Sequence, residues 1–129
     1  MSFSNYLEDK VLNHVFGGTS YTAPSTLYIA LFTTAPGEDG SGGTEVTTTG
    51  TAYTRQTGVF TVSSGTASNT SAIEYAIALA NYGTVVAVGI YDASTSGNLL
   101  AYGNLNSTKV VSTGDIFRFN ASDLSVTLA

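Results

Sequence analysis

The sequence predicts an all-β fold of about eight short antiparallel strands with one N-terminal α-helix. Three observations carry this. Short apolar or alternating runs recur along the chain, each bounded by Gly, Asn, Asp, Ser or Thr in turn-forming order. A single run, near the N-terminus, repeats its apolar residues at helical spacing. One long gap, residues 35–52, is rich in Gly and Thr and has too little apolar area to fold by itself.

The helix is expected over about residues 5–16, in "SNYLEDKVLNHVFGG". Asn5 reads as the N-cap, with Glu8 three residues on to complete a capping box. Glu8 and Asp9 fall in the first turn, where the helix dipole favours negative charge. Leu7, Val11 and Val15 repeat every fourth residue, with Leu12 and Phe16 beside them, so they form one apolar stripe. The stripe is expected to be buried, against the sheet or against a neighbouring subunit. Gly17 is placed to end the helix in the left-handed conformation.

The strands follow in order. Leu27–Thr34 is short, apolar and aromatic. Tyr53–Val62 alternates loosely, with Tyr53, Arg55, Thr57, Val59 and Thr61 on one parity. Ala72–Ala80 puts Ile73, Tyr75, Ile77 and Leu79 on one face and leaves Glu74 on the polar one. Thr84–Tyr91 is apolar on both faces, which predicts a central strand. "DASTSGN" at 92–98 is a turn leading into Leu99–Leu105, and Lys109–Val111, Asp115–Asn120 and Leu124–Leu128 close the series. Strands this short and numerous indicate a β-sandwich, a jelly roll or a barrel. The Ala35–Ala52 gap is read as a long flexible loop, and loops of that length are usually functional or disordered.

Composition limits the function. The 129 residues predict a single domain, 1–129. Only 10% are charged, against roughly 25% in ordinary domains, which suits a chain that meets other protein. Lys10, Arg55, Lys109 and Arg118 are scattered and cannot neutralise a run of phosphates, so no nucleic-acid partner is expected. No apolar run approaches the roughly 20 residues that cross a bilayer, and no membrane partner is expected. "MSFSNYLEDK" lacks the basic start and apolar run of a secretory leader, so synthesis in a cytoplasm is expected. There is no cysteine to form a disulfide or a thiolate site.

Catalytic chemistry finds little purchase. The single histidine, His14, lies on the helix and reads as structural. No Gly-x-Ser-x-Gly elbow is present. The nine carboxylates fall mostly at the helix start or in turns, where they cap backbone groups, and only Glu74 lies within a strand. Glu38, Asp39 and Glu45 offer hard oxygens to a calcium ion, but their spacing matches no EF-hand, and the favoured reading is a solvated loop. No enzyme, metal or cofactor is expected. Arg55 is read first as a surface arginine. The alternative is an anchor for the loop through Glu38, Asp39 or Glu45. The tyrosines, seven of the eight in or beside strands, are expected to pack with their hydroxyls at the rim, with roughly half facing a partner.

The order of motifs adds a resemblance. "SNYLEDKVLNHVFGG" is followed by "YTAPSTLYIALFTTAP", a Gly-rich acidic gap, "TEV" and "AYTRQTGVF", then by "YGTVVAVGIYDASTSGNLLAYGNL" and "STGDIFRFN". This series resembles a family of small tailed-bacteriophage virion structural proteins, among them capsid cement or decoration proteins and proteins labelled tail fibre. The resemblance covers nearly the whole chain. It implies a jelly-roll-like β-sandwich with an N-terminal helix, no catalytic residues, and a place in the virion. It implies partners that are copies of itself, as a homotrimer, and the major capsid protein or other virion structural proteins. Capsid cement is the reading placed first, and a tail-fibre or baseplate component is the alternative. The residues expected to meet a neighbouring subunit are Leu7, Val11, Val15, Glu38, Asp39, Glu45 and Arg55.

Overall fold

Alternation along Leu27–Thr34 sets the architecture. Ile29 and Leu31 point into one apolar cluster, while Ala30 and Phe32 point into another, so this strand is covered on both faces. The computed structural model describes residues 1–128. In chain order they form β1 (Ser2–Phe3), α1 (Asn5–Val15), β2 (Leu27–Thr34), β3 (Thr44–Glu45), β4 (Gln56–Gly58), β5 (Phe60–Ser63) and β6 (Thr66–Asn69). Then come β7 (Ile73–Glu74), β8 (Gly83–Tyr91), β9 (Leu99–Val111), β10 (Arg118–Phe119) and β11 (Ser125–Thr127). No helix among the described residues is long and apolar enough to cross a membrane.

The fold is an all-β sandwich with antiparallel pairing throughout and one helix. The main sheet has the order β1-β9-β8-β2-β3, with β4 also paired to β2. As its two-faced apolar pattern predicts, β8 is internal, between β9 and β2. A second layer, made of the β11-β6-β5 sheet and the β10-β7 pair, closes over one face. Phe60 and Val126 of that layer pack with Ile73, Phe119 and Leu124 against Ile29, Leu31, Val88, Ile90 and Leu100 of the main sheet. β5 and β6 are joined by Ser64 and Gly65, both at positive φ, the backbone that a two-residue hairpin requires.

Several elements depart from the sequence reading. Leu99–Leu105 and Lys109–Val111 are one strand, β9, whose pairing with β8 shifts register between Val85 and Ala87. Tyr53–Val62 is not one strand. The chain leaves the main sheet after Gly58 and joins the second layer at Phe60, so Val59 sits at a corner and is exposed. Gly58 is what the corner permits: a β-carbon there would stand 3.1 Å from Ile29 Cγ1. Ile77 and Leu79 do not share the face of Ile73 and Tyr75. After Tyr75 the buried position passes to Ala78, fixed by its N–H donating to the Asp115 carbonyl at 2.9 Å, and Ile77 and Leu79 turn outward.

The helix start also differs. Ser4, not Asn5, is the N-cap, and its Oγ accepts the Leu7 N–H at 3.2 Å. Glu8 then lies one position too far along to close a capping box. Ser4 is buried because its hydroxyl also donates to the Leu99 carbonyl of β9, a long-range partner invisible in local spacing. At the other end Gly18, rather than Gly17, takes the left-handed conformation. The Thr19 N–H then returns to the Asn13 carbonyl at 3.1 Å.

Candidate functional site

The 35–52 segment is the first candidate, and its two halves behave differently. The second half is built into the core. Val46 is buried and its N–H donates to the Leu31 carbonyl at 3.0 Å; Thr51 is buried as well. Glu45, in β3 opposite Phe32, turns its carboxylate toward Arg55. Arg55 Nη2 meets Glu45 Oε1 at 2.9 Å and Nε meets Oε2 at 3.0 Å, a two-pronged pair. Nη1 donates to the Ala93 and Ser96 carbonyls at 2.9 and 2.8 Å, and the guanidinium lies 3.8 Å from the centre of the Tyr91 ring. One side chain thus joins the loop, the β8–β9 turn and the sheet. Burial opposes the charge on Arg55, but the Glu45 carboxylate beside it holds it protonated.

This corrects the first reading of Arg55 as a surface residue. Its side chain is only 7% exposed, and the alternative, an anchor through Glu45, is what the fold uses. Tyr53 completes the clasp. Its hydroxyl accepts the Leu31 N–H at 3.0 Å and donates to Glu45 Oε2 at 2.7 Å. Burial and the neighbouring carboxylate push the phenol far above its ordinary range.

Four of the eight tyrosines lie deeper than expected. Tyr75 donates to the Ile29 carbonyl at 2.8 Å inside the core, and Tyr82 donates to that of Ala76 at 3.0 Å. The rings of Tyr53 and Tyr75 stack at 6.0 Å, and Phe117 and Phe119 meet edge to face at 5.0 Å. Tyr53, Tyr75, Tyr82 and Tyr91 are buried, and the hydroxyls of the first three bond within the chain rather than forming a rim. Tyr6, Tyr21, Tyr28 and Tyr102 are the partly exposed ones. Sequence reasoning also missed Asn69. Fully buried, it donates to the Ser71 and Asn120 carbonyls and accepts the Leu124 N–H, pinning three segments of the second layer.

The first half of the segment forms an exposed tip. The Glu38 carbonyl accepts the Asn5 N–H at 2.9 Å, which seats the tip over the helix start. Asp39 accepts the Ser41 N–H and hydroxyl at 3.0 and 2.8 Å, and these bonds hold its carboxyl below the usual carboxylate range. Among the described residues no cluster of three or more His, Asp or Glu side chains is placed to hold a metal, so Glu38, Asp39 and Glu45 are not one ligand set. His14 accepts the Tyr21 N–H at 3.0 Å and so fastens the chain after the helix.

The second candidate is apolar. A groove of about 640 Å³ opens between the helix start and the second layer, lined by Leu7, Leu27, Val59, Phe60, Val62 and Val126 among others. No charged side chain lines it. The expected stripe runs out of it along the helix. Leu7 and Val11 are half-buried, while Val15 and the adjoining Leu12 and Phe16 are 60%, 55% and 83% exposed. No residue of the helix is fully buried within the single chain.

A family model described as podophage GP4 fiber I protein gp80 matches residues 2–127. The chain belongs to that family. The gp80 family is one of phage virion structural proteins, as the motif order implied, and it is named for a fibre. The match runs through the helix, both sheets and the clasp, so all the surfaces described above lie within the family's domain. A search of curated proteins finds no match.

Proposed function

We propose that this gp80-family chain is a non-enzymatic structural subunit of a phage tail fibre, acting by position and contact. The family match over residues 2–127 carries this reading. It moves the tail ahead of the capsid cement role that the sequence alone places first, because the family is named for a fibre. Its partners are copies of itself and other virion structural proteins. The interior supports a mechanical role. Aromatic rings and internal hydroxyl bonds tie the two layers, and the Arg55–Glu45 pair fixes the long loop, so the subunit can transmit load without yielding. Groups that hydrolases use are occupied otherwise: Glu74 pairs with Arg118 at 3.1 Å, and His14 holds a backbone amide.

The number of copies per particle tests it. Fibres occur in small symmetric sets around a tail, whereas a head-covering protein repeats with the shell lattice. Quantitative densitometry of purified virions should return a few to dozens of copies. Hundreds of copies would overturn the fibre reading in favour of the head.

A further inference from the structure

We infer that two copies of this chain pair edge to edge through β5, joining their second-layer sheets into one antiparallel sheet across a two-fold axis at Thr61. The hydrogen-bond parity of β5 leaves unpaired groups on its outer side. Ser63 and Thr66 flank the two-residue turn and are a bonded pair, as are Thr61 and Ser68, and the Val59 carbonyl accepts the Thr70 N–H at 2.9 Å. In an antiparallel ladder the residues between bonded pairs point the other way. The N–H and C=O groups of Phe60 and Val62 therefore face away from β6, where the sheet order β11-β6-β5 ends. Among the described residues no hydrogen bond reaches these four groups. Thr61, Val62 and Ser63 are exposed.

The chemistry of this edge specifies an extended strand as its occupant, because its donors and acceptors recur at strand spacing. Several other edges of the protein are blunted against such pairing. Four residues of β9, 105–108, bulge opposite Val86 alone, and Lys109 follows them. β10 carries Arg118 beside Glu74, β3 carries Glu45, and β11 has the Met1 amine on its Ser125 carbonyl. β5 has no charge, proline or bulge, and no charged residue occurs from Gln56 to Ile73.

The geometry of the edge matches a second β5. The corner at Val59 and the turn at Ser64 close it at both ends, and its outward groups are spaced symmetrically about Thr61. With Thr61 opposite its counterpart in the other copy, Phe60 faces Val62 twice and all four groups of each copy are paired. A register centred on Phe60 or on Val62 pairs only half of them. The central threonines then lie on the outer face, with their hydroxyls within reach of each other. On the inner face Val62, 74% exposed in the single chain, lies against the Phe60 ring of the other copy. The contact is isologous and closes with two copies, so it is not the contact of a trimer. It stands on the strand edge alone and does not use the fibre reading, so either can fail without the other.

The chain has no cysteine, so Thr61→Cys and Ser63→Cys each introduce a single exposed thiol. In the paired register the two 61 positions are about 4.5 Å apart at Cα, inside the range of a disulfide. The two 63 positions are offset by about 13 Å along the strands and cannot be bridged. Mild oxidation at about 100 μM should link most Thr61→Cys chains into dimers, and about ten-fold fewer Ser63→Cys chains. Sedimentation equilibrium of the wild type over about 10–500 μM should show monomer and dimer. Val62→Pro removes an outward N–H and leaves the β6 ladder intact, so adding it to Thr61→Cys should abolish the link with an unchanged circular dichroism spectrum. The comparison of positions 61 and 63 decides the matter without the proline variant. Equal linkage at 61 and 63, no linkage at 61, linkage that survives Val62→Pro, or a wild type that stays monomeric at about 500 μM would each overturn the inference.

Discussion

Arg55 and Glu45 meet through two parallel bonds, Nη2 to Oε1 at 2.9 Å and Nε to Oε2 at 3.0 Å, across the open end of the 35–52 segment. The pair holds the base of a long loop onto the sheet, and through Nη1 it also holds the turn after β8. Arg55→Ala would leave the Glu45 carboxylate facing the Tyr53 hydroxyl without its cation. Removing one member of a fully buried pair costs about 3–5 kcal/mol. Glu45 keeps 28% of its side chain exposed, which lowers the expected loss to about 2–3 kcal/mol. Urea unfolding checks this, and a loss under 1 kcal/mol would mean the clasp is ornamental.

Alkaline pH should weaken the fold through its buried phenols. Burial raises the pKa of Tyr53, Tyr75 and Tyr91 above the ordinary tyrosine value. Below about pH 10 both folded and unfolded chains keep these protons, and the contribution is fully present. Above it the unfolded chain releases protons that the folded chain retains, so stability falls as pH rises, by about 1.4 kcal/mol per pH unit for Tyr53 and for Tyr75 and by less for Tyr91, whose phenol lies beside Arg55. The urea midpoint should drop between pH 9 and 11. Tyr53→Phe should flatten that drop by about one tyrosine's share. A midpoint unchanged across this range would refute the internal placement of these hydroxyls.

Ser4→Ala removes the helix cap and the long-range bond to Leu99 together. Caps contribute about 1 kcal/mol, and the orphaned carbonyl adds a desolvation cost, giving about 2 kcal/mol. Asn5→Ala, at the position the local spacing favours as the cap, should cost under 0.5 kcal/mol. The two variants compared by thermal unfolding separate the two assignments.

Hydrogen exchange should divide the 35–52 segment. The Val46 N–H, bonded to Leu31 inside the core, should be protected nearly as well as β2. The Gly42 N–H, at the exposed tip, should exchange within the dead time. Uniformly fast exchange from 37 to 52 would show the whole segment to be detached from the sheet.

What was legible in the sequence follows the range of the forces involved. β2 matches its predicted bounds residue for residue, because a run of apolar and aromatic residues between turns has one solution. β8 is internal as its two apolar faces demand. The errors lie where a distant partner overrides local spacing. Ser4 outcompetes Asn5 as cap because Leu99, ninety-five residues away, completes its bonding. The face of Ile77 and Leu79 is lost because Asp115 captures the Ala78 amide. Asn69 sits in a turn-like triplet and carries no local mark of its three long-range bonds. Of the residues expected at a subunit contact, Glu45 and Arg55 are engaged with each other inside the chain, while Val15 remains open to a neighbour.

The place of the protein in the particle is the central claim, and labelling tests it most directly. Gold-conjugated antibody against this chain, applied to intact virions and imaged by electron microscopy, should decorate the tail alone. Label spread over the head surface, with the tail bare, would contradict the account.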